Sequence, residues 1–134
     1  MDRTVVRTGR VDGTVRLDCG HDVEAGTPLD VVSRMTCPDC ARGDQPEGLV
    51  AYKRTPEFTA DTVPAGLLRD HSTKPGVWAH IVVLEGRLRY RCPALGWDQV
   101  LESAQPGVVV PEVLHSVEPQ GTVRFHVEFL RVPD

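Results

Sequence analysis

Apolar and polar residues alternate along much of this chain with a period of two, the repeat of a strand that buries one face. The stretch TVRFHVEFLRV is the cleanest case, with Val123, Phe125, Val127 and Phe129 on one face and His126 and Glu128 on the other. VWAHIVVLEGRLRYRC predicts a strand over Val77–Leu84, a turn at Glu85-Gly86 and a second strand through RLRYR. QVLESAQPGVVVPEVLHSVEP predicts two further short strands, interrupted at Pro106-Gly107 and at Pro111. LVAYKRTPEF reads as an edge strand cut by Pro56, because proline brings no N–H to a ladder. Nearer the start, TVVRTGRVDGTVRLDC predicts two strands around Asp12-Gly13, a dipeptide suited to the positive φ angles of a hairpin turn. No window of eleven or more residues keeps a helical stripe. Strands joined by Gly/Pro turns, without crossover helices, predict an antiparallel all-β barrel or jelly roll.

The pattern thins between Asp22 and Met35, where PLDVV is the one short apolar cluster. ARGDQPEG, Ala41 to Gly48, is small and polar and reads as a linker. The expected organisation is a small module over 1–44, a linker over 45–49 and a barrel over 50–134. With 134 residues, 40% hydrophobic and 25% charged, the composition is that of a soluble globular protein. No apolar run approaches the roughly 18 residues of a membrane span, and MDRTVVRTGR has no apolar leader core, so a cytoplasmic protein without a membrane partner is expected. The net charge of −4 comes from 19 acids against 15 scattered bases, which argues against a nucleic-acid partner.

Soft donor side chains are concentrated in the first third. LDCGHDV places Cys19 and His21 two residues apart, and CPDC places Cys37 and Cys40 three apart, after a fifteen-residue excursion. A segment this small, with few large apolar side chains, needs a staple, and a reducing compartment disfavours disulfides. Three thiolates and an imidazole are a full tetrahedral set for structural zinc, which leaves no open coordination position and so holds shape without catalysing. The alternative is a redox CxxC pair, which belongs at a strand-to-helix junction, and no helical pattern follows Cys40. Cys92, between a strand and Pro93, reads as a buried thiol without a role.

RDHSTKPGVW, VLEGRL, PEVLH and VEF, within Tyr52 to Val132, resemble the small bacterial cupin family found at the amino terminus of the tellurite-resistance protein TehB and in YeaR-like proteins. LDCGH…CPDC is similar to a small zinc-binding domain sometimes joined to such cupins. The resemblance implies a double-stranded β-helix, the cupin jelly roll, behind a zinc-ribbon-like β-hairpin module. It also implies a barrel metal site, in which His71 stands near one ligand position and His115 matches another. Ala79 occupies the position of the usual carboxylate, and Thr73 and Lys74 lie where a second histidine is usual. Glu128 or His126 would complete a set with His71 and His115 if the polar face of the last strand lined the cavity. Such a site suits Fe(II), zinc, manganese or nickel. Arg69 and Glu112 are candidates to support the imidazoles or the ligand, and Lys74 to meet an anion. His80, beside Trp78, reads as a packed or surface histidine.

These readings lead to a metal-binding protein that takes a small ligand or an oxyanion of the tellurite type in a stress response. The alternatives are a small mononuclear metalloenzyme (oxygenase, isomerase or hydrolase) and a zinc-ribbon adaptor. An exposed edge strand makes a homodimer the expected assembly.

Overall fold

The computed structural model describes residues 2–10, 13–24 and 34–133. The described residues are nearly all β, in two antiparallel sheets. The first sheet has the order β3-β2-β1-β4, from β1 (Asp2–Thr8), β2 (Thr14–Leu17), β3 (Asp22–Glu24) and β4 (Arg34–Thr36). β1 and β2 form the expected hairpin, with Gly13 at φ 85; Asp12 and the PLDVV cluster lie outside the described residues. The second sheet has the order β5-β10-β7-β8, with β6 added to β10 and β9 to β7. Its strands are β5 (Val50–Arg54), β6 (Phe58–Thr59), β7 (Val77–Cys92), β8 (Trp97–Leu101), β9 (Gly107–Val109) and β10 (Ser116–Arg131). β5 stands at a sheet edge with all its residues exposed, before the interruption at Pro56.

Two strands dominate this sheet. β7 and β10 each run for 16 residues and pair from Ser116 opposite Arg91 to Arg131 opposite Val77. The turn expected at Glu85-Gly86 is therefore a bend inside a continuous strand. The ladder shifts register between Pro119 and Val123, opposite Gly86. A bulge of this kind bends a strand without ending it, and period-two alternation alone does not distinguish it from a hairpin. Gly86 is required there: its φ is +79, and a Cβ would lie 2.0 Å from the Thr122 carbonyl oxygen. Gly86→Ala is expected to cost about 2 kcal/mol or more, from strain and from parting the two backbones. Urea denaturation would measure it, and an unchanged midpoint would contradict the close approach.

One α-helix among the described residues breaks the all-strand expectation. Pro38–Arg42 forms a five-residue α1, with Cys37 at its N-cap, Pro38 opening it and Gly43 closing it at φ 76. Proline at the first helical position and glycine just past the last are local signals that need no apolar stripe. CPDC thus does sit at a strand-to-helix junction, and the case against a redox pair rests on what else surrounds the sulfurs.

The sheets meet across Trp78. Its side chain is fully buried, its indole N–H donates to the Cys19 carbonyl at 2.8 Å, and its ring meets His21 edge-on at 5.6 Å. Nearby, Gln45 and His80 approach to 2.8 Å, so His80 is packed under the first sheet's connection.

Candidate metal centre and cavity

The hairpin carries Leu17 into a tight turn, where the Gly20 N–H donates to the Leu17 carbonyl at 2.9 Å and the Leu17 N–H to the His21 carbonyl at 2.9 Å. This turn presents Cys19 and His21 to one point. The start of α1 presents Cys37 and Cys40 to the same point. All four are buried, and their donor atoms lie within 4.8 Å of one another. His21 Nδ1 is 3.3 Å from Cys19 Sγ, 3.4 Å from Cys37 Sγ and 3.6 Å from Cys40 Sγ, and Cys19 Sγ is 3.8 Å from Cys37 Sγ. A tetrahedron with Zn–S of about 2.3 Å and Zn–N of about 2.0 Å has edges of about 3.8 Å between sulfurs and about 3.5 Å from sulfur to nitrogen. The spacing fits zinc.

The surroundings fit it too. The far ring nitrogen, His21 Nε2, lies 2.7 Å from the Asp44 carbonyl oxygen, so it donates its proton there and Nδ1 is the nitrogen turned towards the sulfurs. Ligating histidines are oriented in this way by the acceptor behind them. Without an ion, burial would lower the imidazole's pKa, but hydrogen bonds and charge from Cys37 and Cys40 carry it up to about 10. Cys37 is held far below the ordinary thiol value by hydrogen bonds from Cys19 and Cys40, while Cys19 is driven up by its hydrogen bonds with Cys37 and Cys40 and by burial. The cluster thus shares protons that a bound cation would displace.

A separate cavity of about 230 Å³ opens in the second sheet. Phe58, Leu67, Ile81, Val109, Phe125 and Val127 wall it, and its polar lining is Thr55, His71, Thr73 and His115. The threonine hydroxyls are already engaged, Thr73 with the Val77 carbonyl at 2.7 Å and Thr55 with the Pro56 carbonyl at 3.0 Å and the Val127 N–H at 2.9 Å. His71 and His115 exchange backbone hydrogen bonds of 2.8 Å in both directions, with ring centroids 5.5 Å apart. His115 is buried, and its Nδ1 lies 3.0 Å from the Val113 carbonyl. Nδ1 therefore holds the proton and Nε2 is the free acceptor. Burial, reinforced by His71 and opposed by the Val113 hydrogen bond, keeps the His115 pKa below the ordinary histidine value. The imidazole is neutral at physiological pH.

Several expected partners lie elsewhere. Phe125, Val127 and Phe129 face the cavity, so Glu128 and His126 occupy the opposite face with Trp78 and His80. There Glu128 pairs across the ladder with His80 and is bonded by Arg54 at 3.3 Å, while His126 is buried opposite Val82. Alternation separates the residues into two faces, and the bulkier apolar face took the enclosed side. Ala79 does face the cavity, so the position that the resemblance gives to a carboxylate points inward without a donor. Arg69 and Lys74 are exposed; Lys74 lines an adjoining surface depression that shares His71, Thr73 and Phe129 with the cavity. Glu112 is tied to Arg3 at 2.9 Å. Among the described residues, the cavity therefore offers two imidazoles and no carboxylate. Residue pattern gave no hint of Arg3 or of the Asp44 carbonyl, because a backbone acceptor and a lone arginine carry no motif.

These features define a small β-rich protein with a buried Cys₃His cluster and an apolar, histidine-bearing cavity. Residues 53–127 match the TehB-like domain model, and the chain belongs to the TehB-like family. It is 29% identical over 103 residues to the uncharacterized protein YeaR of Escherichia coli K12, which covers 66% of this chain and 83% of YeaR. It is 31% identical over 75 residues to the probable S-adenosyl-L-methionine-dependent methyltransferase TehB of Haemophilus influenzae, which covers 52% of this chain and 26% of TehB. A crystal structure of an E. coli K12 protein superposes with a TM-score of 0.61 at 27% identity, over 66% of this chain and 96% of that one. The crystal structure of H. influenzae TehB shares the fold, with a TM-score of 0.59 at 24% identity over 64% of this chain and 32% of that one. The cysteine cluster precedes the family match, so it is read from its own geometry. No helix among the described residues is long and apolar enough to cross a membrane.

Proposed function

We propose that this chain is a zinc-stapled, cupin-type binding protein of the stress-response kind. In this reading, residues 1–44 form a module that Cys19, His21, Cys37 and Cys40 close around zinc, 45–49 join it, and 50–134 form the jelly-roll barrel. The observation that carries it is the convergence of four buried donors at the edge lengths of a zinc tetrahedron. Support for the barrel comes from the two long, bent, antiparallel strands with an enclosed cavity on one face. The ligand is a small molecule with an apolar body and a polar end that His115 Nε2 and the His71 imidazole meet. A bare oxyanion fits less well: no charged side chain lines the cavity among the described residues, and an unpaired buried charge is costly. The open edge of β5 is where a second copy would add as a homodimer.

A mononuclear metalloenzyme is the second reading. It draws on the neutral His115 with its Nε2 lone pair free, a group able to ligate a divalent ion or accept a proton. Element-resolved metal analysis of the full chain separates the two. The binding-protein reading expects one equivalent of zinc, lost in Cys37→Ser and kept in His115→Ala. A second, labile metal that disappears in His115→Ala, accompanied by oxygen uptake or turnover, would establish the enzyme instead. A wild-type chain that binds no transition metal would refute the first reading.

A further inference from the structure

Arg3 is 2% exposed, and its guanidinium bridges the two sheets. One terminal nitrogen donates to Glu112 Oε2 at 2.9 Å and the other to the Pro111 carbonyl at 2.7 Å. The Arg3 backbone pairs with Met35 of β4, two residues before Cys37, and the carbonyl of the adjacent Thr4 accepts from the Asp18 N–H, next to Cys19, at 2.9 Å. Burial works against the guanidinium charge, but Cys40, Cys19 and Glu112 together outweigh that cost and hold it cationic. One residue of β1 thus joins the strand that leads into Cys37 to the turn at 110–113.

That turn sets His115. Glu112 has φ 63, the one non-glycine residue with positive φ among the described residues. A side chain with a Cβ is strained there and persists when its surroundings hold it. The Glu112 N–H donates to the Thr73 carbonyl at 3.2 Å and the Val113 N–H to the Val110 carbonyl at 3.4 Å. The Val113 carbonyl then receives the His115 Nδ1 proton. A continuous path therefore runs from the strand before Cys37 through Arg3, Glu112 and Val113 to His115, from cluster to cavity.

We propose that Arg3 is a positioning residue that couples the state of the Cys19, His21, Cys37 and Cys40 cluster to the cavity, by holding the 110–113 turn that orients His115. The inference rests on the zinc reading of the cluster. A bound ion fixes Cys19 and Cys37, and with them the segments paired to β1, which makes them a rigid anchor for Arg3. Arg3, clamped between that anchor and Glu112, keeps the strained turn closed and the His115 Nε2 free for a ligand. Release of the ion frees the anchor, and the turn loses one of its supports.

The test reads zinc content and the side-chain ¹H–¹⁵N spectrum of His115 in the full chain. Zinc-loaded wild type is expected to show a single Nδ1–H tautomer, with a titration midpoint below the ordinary value of about 6.5. Arg3→Met and Glu112→Gly are expected to retain one equivalent of zinc while His115 shifts to mixed tautomers and its midpoint rises towards the ordinary value. Stripping zinc from wild type should produce the same shift. Glu112→Gly keeps the test readable if Arg3→Met fails to fold, because glycine adopts this φ freely once the carboxylate is removed. Full zinc with wild-type His115 signals in the variants overturns the coupling and leaves the zinc reading standing. A wild-type chain without zinc overturns both.

Discussion

Cys37→Ser is expected to unfold the first sheet while β7 and β10 stay paired. Structural zinc contributes on the order of 10 kcal/mol or more of apparent binding free energy at neutral pH. The four-stranded sheet, with β3 and β4 of three residues each, has little else with which to replace it. Hydrogen exchange would register the loss as fast amide exchange over β1–β3 and α1, with protection kept along β10. A strong chelator acting on wild type should do the same. Zinc has to displace protons from His21, whose pKa stands at about 10 without the ion, and from the raised Cys19 thiol. Apparent affinity should therefore rise with pH across the neutral range, by up to about tenfold per unit for each proton displaced. A pH-independent affinity, or a first sheet that keeps its protection when stripped of metal, would contradict the stapled module.

Trp78→Ala should be the most damaging single change outside the cluster, at about 3–5 kcal/mol. The side chain is fully buried, so the substitution leaves a void. It also removes the donor that the Cys19 carbonyl accepts from and the ring edge against His21. Both sheets share the loss, and chemical denaturation of the zinc-loaded chain should show a single, earlier transition. Zinc binding should weaken too, because the Cys19 turn loses its backing. Leu68→Ala, at a residue 45% exposed, is the control and should shift stability by less than about 0.5 kcal/mol. If Trp78→Ala cost no more than this control, the two sheets would not be energetically joined at that point.

The strands were legible because alternation is a local property. β10 and the short β8 and β9 follow from it, Pro56 marked β5 as an edge strand, and the cysteine spacing brought out Cys19, His21, Cys37 and Cys40 before any geometry. What alternation could not supply was which face turns inward. Glu128 and His126 looked like cavity ligands because histidine and carboxylate so often work together, yet Phe125, Val127 and Phe129 took the enclosed side. The Glu85-Gly86 bend looked like a hairpin because a glycine at positive φ serves both turn and bulge. Helix α1 was invisible because five residues are too few to show a stripe. Arg3 was invisible for another reason: its partners, Pro111 and Glu112, lie more than a hundred positions away along the chain.

The packing of the first sheet has a practical optical consequence. The chain has two tryptophans. One lies edge-on to His21, and the indole of the other, Trp97, sits so close to Gly43 that a methyl there would come within 2.2 Å of it. Near-ultraviolet emission from this molecule therefore reports on the corner around the cysteines. A fluorescence titration will follow events at that corner closely, whereas occupancy of the cavity, which neither indole lines, calls for a probe placed elsewhere.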